Sequence, residues 1–330
     1  MFAWSILVAS TVWLLTLPVA IANLVVIVVD LRGGPLLFGN PEGSTLIYDQ
    51  LAWMVEQPAV YAVALPTLGV IGSVVPVVAG VRQVSHQAMM VLIGLAGLMA
   101  LGGWSQPHFS DQRDELVFVA FGLIAIVPVL ASLGGNSATL LKGGVPAELP
   151  PAHMVGALGA GLLLLLATLS GALRVIDPFE LIGTAADDAV MFLAVFAAIT
   201  GAVAGMWFWS PQIHGGLLPS VAGSLVLTNL IGAGVLLGVA GMVTGFDLGD
   251  GLSDAMAVVT VVGAVLGLLG ALGVAALMLK ASRAGGDDEG DIDPWGGHTL
   301  EWSVEVPARV GSESPLLDEP ETADDDGGES

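Results

Sequence analysis

Long apolar runs dominate this sequence and restrict the kind of fold that it can form. Over half of the 330 residues are hydrophobic, and the mean hydropathy is +0.86. A membrane-crossing helix needs about 20 consecutive, mostly apolar residues, and runs of that length recur between short stretches with Pro, Gly or charge. We therefore predict an all-α, polytopic transmembrane helix bundle of about eight spans. The predicted spans are Phe2–Val29, Pro58–Val81, Ala88–Trp104, Glu115–Leu133, Ala152–Leu173, Ala186–Trp209, Leu218–Thr244 and Ala255–Leu279.

The charge balance is strongly acidic and uneven along the chain. Eight Lys and Arg stand against thirty Asp and Glu, and much of the acid follows Gly285. We predict a transmembrane helical domain over 1–284 and an acidic, largely disordered cytoplasmic tail over 285–330. This charge disfavours nucleic acid as a partner. An acidic, lysine-poor surface also suits very high salt, where screening removes self-repulsion, so a halophilic source is a hypothesis.

With eight spans both termini lie on one side of a cell membrane that the chain crosses repeatedly. Four basic residues flank spans on the terminal side, which by the positive-inside rule predicts cytoplasmic termini. They are Arg82, Lys142, Lys280 and Arg283. Within the spans, recurring Gly and Ala predict close helix packing in lipid, and Pro18, Pro66, Pro76 and Pro128 are predicted to lie inside helices.

Four stretches carry a resemblance to a known family. FAWSILVASTVWLLTLPVAIANLVVIVVD and then TLIYDQLAWMVEQPAVYAVALPTLG resemble the fifth and sixth helices of subunit I of haem-copper oxidases. GAVAGMWFWSPQIHGGLL is similar to that family's tenth helix and turn, and DPWGGHTLEWS resembles the motif after its last helix. The resemblance covers Phe2–Ser303 in the order of family helices five to twelve. The retained family residues are Pro58, Tyr61, Trp295 and Trp302.

The resemblance also identifies the positions at which the family holds copper. Gln57 stands at the copper-binding histidine of the sixth helix, and Ala59 replaces the carboxylate two residues later. Gln106 and Pro107 fall on the adjacent histidine pair of the seventh helix. An amide is a weaker copper ligand than imidazole, so no metal site is predicted. Tyr61 is either a packing residue at the helix end or a vestige of the tyrosine beside the copper.

The family's haem positions are changed as well. Its tenth helix carries two histidines separated by one residue, and the matching residues here are Ala189 and Met191. Methionine can ligate haem, but Met191 on an apolar helix favours packing. Asp187 and Asp188 just upstream are interpreted as a helix-start pair favoured by the helix dipole, with a surface cation site as the alternative. We expect no catalytic or cofactor-binding residue here, and hence no bound cofactor, although the intact family carries haem and copper.

The histidine distribution supports the same expectation. A haem or copper centre inside a membrane needs imidazole or thiolate ligands, and the chain has no cysteine. The five histidines lie at or beyond the ends of the predicted spans. They are His86, His108, His153, His214 and His298. A one-residue shift of the alignment with the family would place only His108 at a copper-ligand position.

Two functional hypotheses follow from the resemblance. The first is a catalytically degenerate, cytochrome c oxidase subunit I-like membrane protein, a pseudoenzyme with a structural, assembly or regulatory role in an aerobic respiratory terminal oxidase. Its expected partners are membrane lipid and other respiratory oxidase subunits. The alternative is a working part of a haem-copper terminal oxidase whose ligands come from other chains. A transporter is disfavoured because no predicted span carries an ionisable residue at its centre.

Overall fold

The computed structural model of the chain describes residues 1–33, 46–100, 116–144, 150–214, 216–284, 293–297 and 302. All regular secondary structure in these residues is helical, as the apolar runs predict. The helices are α1 (Phe2–Gly33), α2 (Leu46–Val78), α3 (His86–Ala100), α4 (Leu116–Gly143), α5 (Ala152–Val175), α6 (Ala185–Phe208), α7 (Ser210–His214), α8 (Ser220–Gly245) and α9 (Asp250–Ala284), with a 3₁₀ turn at Asp177–Phe179.

Seven helices within the described part of the chain are long and apolar enough to cross a membrane. They are α1, α2, α4, α5, α6, α8 and α9. The predicted span Ala88–Trp104 corresponds to α3, whose described part has only 15 residues. At 1.5 Å per residue it measures about 22 Å, less than the hydrocarbon thickness of about 30 Å. Within the described residues, seven long helices and one short apolar helix therefore stand where about eight spans are predicted.

The short helix α3 nevertheless lies antiparallel to α4. Near the start of α3, the backbone N–H of Val84 donates a hydrogen bond to Thr139 Oγ1 at 3.1 Å, and the Met89 side chain contacts Gly135. Since Thr139 and Gly135 lie towards the end of α4, the two helices run in opposite directions. The ends of α2 and α4 meet where Gly143 contacts Ala79. The chain therefore leaves this side of the bundle after α2 and returns to it with α4.

Two helix boundaries differ from the sequence prediction for a physical reason. Helix α2 begins at Leu46 rather than Pro58, and α4 continues to Gly143 rather than Leu133. Proline is favoured in the first turn of a helix, but a membrane helix also tolerates it in the interior, where neighbouring groups satisfy the freed carbonyl. The four interior prolines are confirmed in α1, α2 and α4.

Helices α2, α5 and α6 form the centre of the bundle. Half or more of the most apolar window of each is buried, with 61% in α2, 50% in α5 and 56% in α6, whereas the value is 11% for α1 and for α9. The Thr67 hydroxyl links two of the central helices by donating to the carbonyl of Ala197 at 3.4 Å. Helices α1 and α9 therefore lie at the periphery and expose most of their apolar side chains.

Glycines allow the central helices to approach closely, as the small-residue pattern predicts. A Cβ atom at Gly156 of α5 would lie 2.7 Å from the Ala204 Cβ of α6, and one at Gly159 would overlap the Ile231 side chain of α8. Real Cβ atoms do not approach this closely, so a larger residue at Gly156 would push α5 and α6 apart, and one at Gly159 would displace the Ile231 side chain. Close approach of this kind is what drives helix association in lipid, where the hydrophobic effect does not.

The basic residues predict which end of the bundle faces the cytoplasm. Ser253 near the start of α9 and Ser282 near its end are both exposed and lie at opposite ends of that helix. Because the native chain has no cysteine, Ser253→Cys and Ser282→Cys each introduce a single thiol. We expect a membrane-impermeant maleimide to label Ser282→Cys only from the cytoplasmic side and Ser253→Cys only from the opposite side. Reversed labelling in right-side-out and inverted vesicles would disprove the orientation predicted from the basic residues.

Candidate functional site

The QPAVY segment, residues 57–61, lies within α2 rather than at its start. Pro58 is buried, and Tyr61 is half-buried against the apolar cluster formed by α1 to α6. Gln57 belongs to the same helix, but its side chain lies outside the described residues, as do Gln106 and Pro107. The described part of this segment therefore presents a tyrosine to the interior of the bundle.

An ion pair joins the facing ends of α5 and α6. Arg174 Nε lies 2.5 Å from Asp187 Oδ1, with side chains 13% and 34% exposed. Asp187 Oδ2 also accepts a hydrogen bond from the backbone N–H of Gly183 at 2.7 Å, and the Thr184 side chain accepts one from Ala186 N. Thr184 is thus the N-cap of α6, and the prediction that Asp187 and Asp188 stand at a helix start is confirmed.

An apolar cavity lies between α2, α3, α4, α5 and α6. It is partly open to the outside: the space between its atoms, including that open part, is about 720 Å³, and about 70 Å³ of it can hold the centre of a water-sized molecule. Most of the lining is aliphatic, while Tyr61, Thr168 and Arg174 contribute polar side chains. The remaining lining residues are Val60, Ala64, Leu65, Leu68, Ala96, Ile126, Val129, Leu164, Ala167, Gly171, Val190 and Ala194. The cavity therefore has an apolar body and a polar region at the Arg174 end of α5.

The two family haem positions in α6 do not line this cavity. Ala189 is fully buried and lies against Gly241 of α8, where a Cβ atom on the glycine would be 2.8 Å from the Ala189 Cβ. Met191 is 39% exposed. The α6 side chains that do line the cavity are Val190 and Ala194. Ala189 thus serves helix packing, and Met191 lies on the outer surface of the described bundle.

The retained tryptophans of the C-terminal motif pack against the helix ends. Trp295 Nε1 donates to the Phe208 carbonyl at 3.0 Å, and the Phe208 and Trp302 ring centroids are 5.2 Å apart. Trp302 is only 6% exposed, and Gly297 fits closely against its indole ring. Although a largely disordered tail is predicted from residue 285, these residues are held against α6. The predicted disorder of 318–330 concerns residues outside the described ranges.

One histidine is buried in the same place. His153 in the first turn of α5 is 2% exposed, and its ring lies 4.4 Å from the Trp295 ring and 5.5 Å from the Phe208 ring. His86 is exposed, with Nδ1 3.2 Å from Gln83 Oε1. His108, His298 and the His214 side chain lie outside the described residues. The two histidines whose side chains are described therefore have different surroundings, one in an aromatic cluster and one at the surface.

The positions of the possible metal-ligating side chains can now be compared. Across the described ranges, no group of three or more His, Cys, Asp or Glu side chains is placed to hold a metal ion. Histidine, methionine and cysteine are also absent from the residues that line the cavity, although haem iron takes its protein ligand from such side chains. The described lining of this cavity therefore contains no side chain of the kind that ligates haem iron.

Comparison with known proteins identifies the family. The sequence profile described as cytochrome C and quinol oxidase polypeptide I matches residues 1–250. A Streptomyces avermitilis protein assigned as cytochrome c oxidase subunit 1-beta is 28% identical, over 96% of this chain and 60% of its own length. Cytochrome c oxidase subunit 1 of Thermostichus vulcanus is 27% identical, over 94% and 58%, respectively. The corresponding Corynebacterium efficiens protein is 25% identical, over 96% and 58%.

The fold and these matches define a polytopic membrane protein of the oxidase class, and the chain belongs to the haem-copper oxidase subunit I family. It spans about three fifths of the length of the curated relatives that it matches. The prediction that no cofactor is bound is wrong on this comparison, because haem and copper are the cofactors of the family. Replacements at a few ligand positions are not enough to conclude that the whole protein binds no cofactor. A cofactor is also held by cavity shape, burial and surrounding groups.

Two features were not recognised as a site from sequence alone. The sequence assigned no role to Arg174, and it indicated a helix start or a surface cation site for Asp187, whereas the structure pairs the two residues beside the cavity. Opposite charges at the facing ends of two consecutive spans are a signal that could have been used. His153 carried no such signal, because its aromatic neighbours come from distant parts of the chain.

Removal of the Arg174–Asp187 pair should loosen the α5–α6 connection. We expect Arg174→Met to lower the free energy of unfolding by about 1 kcal/mol, since the charged partner of Asp187 is lost at a partly exposed position. Asp187→Asn should cost less because an amide oxygen can still accept from Gly183. Thermal unfolding in mild detergent, with the double variant completing the cycle, measures the coupling. Strictly additive single effects would show that the pair contributes nothing.

The aromatic anchor of the C-terminal motif makes a second prediction. Trp295→Phe should cost about 1 kcal/mol, because only the hydrogen bond to the Phe208 carbonyl is lost. Trp295→Ala should cost about 2 kcal/mol, because apolar burial is lost as well. Trp13→Ala is the matched control, since Trp13 is 38% exposed on the peripheral helix α1. Equal melting temperatures for Trp295→Ala and Trp13→Ala would contradict the anchoring role.

Proposed function

We propose that this chain is a subunit I-like component of an aerobic respiratory terminal oxidase in which it has a structural, assembly or regulatory role. In this role Gln57, Ala189 and Met191 do not take part in catalysis. Haem and copper are the cofactors of the family. The role proposed here is that of these three positions.

The placement of the α6 positions is the observation that supports this proposal. Ala189 is fully buried against α8, and Met191 is 39% exposed on the outer surface of the described bundle. A ligand to a cofactor inside the α2–α6 cavity has to face that cavity, and Val190 and Ala194 are the α6 side chains that do so. The two side chains at the family's ligand positions thus contribute packing and outer surface.

The peripheral helices support a role within an assembly. Helices α1 and α9 bury only 11% of their most apolar windows within the described bundle, and their exposed side chains are predominantly Leu and Val. In a membrane such faces contact lipid or other transmembrane helices. The proposed partners are accordingly membrane lipid and other respiratory oxidase subunits.

The proposal is tested in cells from which only this gene is deleted, complemented with tagged variants. We expect the tagged chain to co-purify with oxidase subunits. We also expect Met191→Leu to restore dioxygen consumption and to leave the reduced-minus-oxidised spectrum and the copper content of the complex unchanged. Met206→Leu is the matched control, because Met206 lies on the same helix with 47% exposure and at no ligand position.

A variant that disrupts helix packing serves as the positive control for loss of function in the same experiment. Gly156→Leu should fail to complement, because its side chain overlaps Ala204 of α6 and Leu227 of α8 and prevents the helices from associating. Loss of dioxygen consumption or a changed haem spectrum with Met191→Leu, while the chain remains in the complex, would overturn the proposal. That result would favour a working part of a haem-copper terminal oxidase, and it would also show that the ligands do not all come from other chains.

A further inference from the structure

We propose that the α2–α6 cavity binds a neutral, long-chain apolar molecule whose terminal carbonyl oxygen accepts hydrogen bonds from the Tyr61 and Arg174 side chains. The two molecular sources with this chemistry are an ester lipid and an alkyl quinone. The inference goes beyond the proposed role in the oxidase, because it concerns the occupant of a cavity and holds whether or not the chain takes part in catalysis.

The body of the cavity favours an apolar chain. Its walls are formed by aliphatic side chains from five helices, and small residues, including Ala64, Ala96 and Ala194, leave the space between them. At Gly171 an added Cβ atom would meet nothing within 4 Å, so the space extends to the backbone of α5. Unfilled space of this kind loses van der Waals contacts on all its walls, and an apolar occupant restores them.

The polar end of the cavity favours hydrogen-bond acceptors. A guanidinium has five N–H donors and a phenol has one O–H donor, and both side chains line the cavity. The third polar residue, Thr168, already donates its hydroxyl hydrogen to the Leu164 carbonyl at 2.7 Å. Arg174 and Tyr61 therefore supply the donors at this end, and an occupant with an oxygen acceptor satisfies them.

The ion pair between Arg174 and Asp187 favours an occupant without charge. Arg174 Nε lies 2.5 Å from Asp187 Oδ1, so the positive charge at the polar end is already balanced by a carboxylate. A second carboxylate or phosphate would bring net negative charge into a region of low dielectric constant, which is costly. A neutral carbonyl oxygen accepts the same hydrogen bonds without that cost.

The position of the polar end in the membrane fits the same class of molecule. Arg174 stands one residue before the end of α5, and Asp187 is in the first turn of α6. These helix ends belong to the boundary of the membrane, while Leu68 and Ala194 continue the cavity towards the middle of their helices. An occupant thus places its carbonyl near the interface and its chain inside the bundle, as amphiphiles lie in a bilayer.

The lining residues also restrict what else can bind. They include neither histidine, methionine nor cysteine, so the proposed occupant is one that needs no metal ligand. Ile126 and Thr168 line the cavity and are only half-buried, which leaves the space accessible from outside the bundle. A lipid-soluble molecule can therefore enter it from the membrane.

The first test identifies the native occupant. Full-length protein is purified in mild detergent at high salt, extracted with organic solvent and analysed by mass spectrometry. We expect about one ester lipid or one quinone per chain beyond the detergent-exchangeable lipid, and the mass identifies which source supplies it. Release of haem as the stoichiometric occupant, or the absence of any retained apolar molecule, would overturn the proposal.

The second test uses defined probes and measures the unfolding temperature. Decylubiquinone and monoolein, which carry neutral carbonyl oxygens, should each raise the unfolding temperature of the delipidated chain. Hexadecane lacks the acceptor and should have a smaller effect, and oleate should bind more weakly than monoolein because of its charge. Equal shifts with hexadecane and monoolein, or tighter binding of oleate, would contradict the assigned polar end.

A variant of the cavity wall and a matched control test whether decylubiquinone binds in the cavity. Gly171→Leu places a side chain into the open space at the cavity wall and should reduce the affinity for decylubiquinone at least tenfold. Gly134→Leu is the matched control, because a Cβ atom at Gly134 of α4 also meets nothing within 4 Å but Gly134 does not line the cavity.

Tyr61→Phe provides a test that leaves the cavity volume nearly unchanged. It removes one donor and should weaken binding of decylubiquinone but not of hexadecane. If Gly171→Leu and Tyr61→Phe both retain wild-type affinity, the cavity is not the binding site. Co-purification with oxidase subunits is measured on the same variants, so failure of the cavity proposal remains distinguishable from failure of the proposed role in the oxidase.

Discussion

Close contact between glycine-bearing faces of α5, α6 and α8 is the constraint on which the rest of the structure depends. In lipid, apolar side chains gain little by leaving the hydrocarbon, so helices associate through fine packing of their surfaces. Gly156 and Gly159 admit side chains of α6 and α8 to within contact of the α5 backbone. This arrangement holds α5 and α6 side by side, brings Arg174 to Asp187 and defines one wall of the cavity.

Neighbouring residues of α6 face different surroundings. Ala189 packs against α8 and Met191 lies at the outer surface of the described bundle, while Val190 and Ala194 face the interior space. Family membership nevertheless ties the chain to oxidases that use haem and copper. The fold thus contains an apolar cavity with two polar groups at one end, the Arg174 guanidinium in its ion pair and the Tyr61 phenol. These groups are better suited to hydrogen bonding than to metal coordination.

The sequence predicts helices well where one physical signal dominates. In α5, α6 and α8, apolar runs bounded by Pro, Gly and charge locate both ends within about two residues. The prediction is poorer for α2, where Pro58 is an interior residue and not a starting one, because tertiary contacts in a membrane protein compensate for the lost backbone hydrogen bond. The short α3 shows the same limit, since its direction is evident only from its contacts with α4.

By itself the sequence determined that this is a multi-pass helical membrane protein, that it resembles subunit I of haem-copper oxidases and that its small residues serve packing. Each of these follows from local composition or from motifs read along the chain. Only the tertiary structure decided that Arg174 and Asp187 form a pair, that His153 lies against Trp295, and that an apolar cavity ends at Tyr61. These are contacts between separate helices, and rotation of a helix about its axis, which decides them, is set by packing rather than by hydrophobicity.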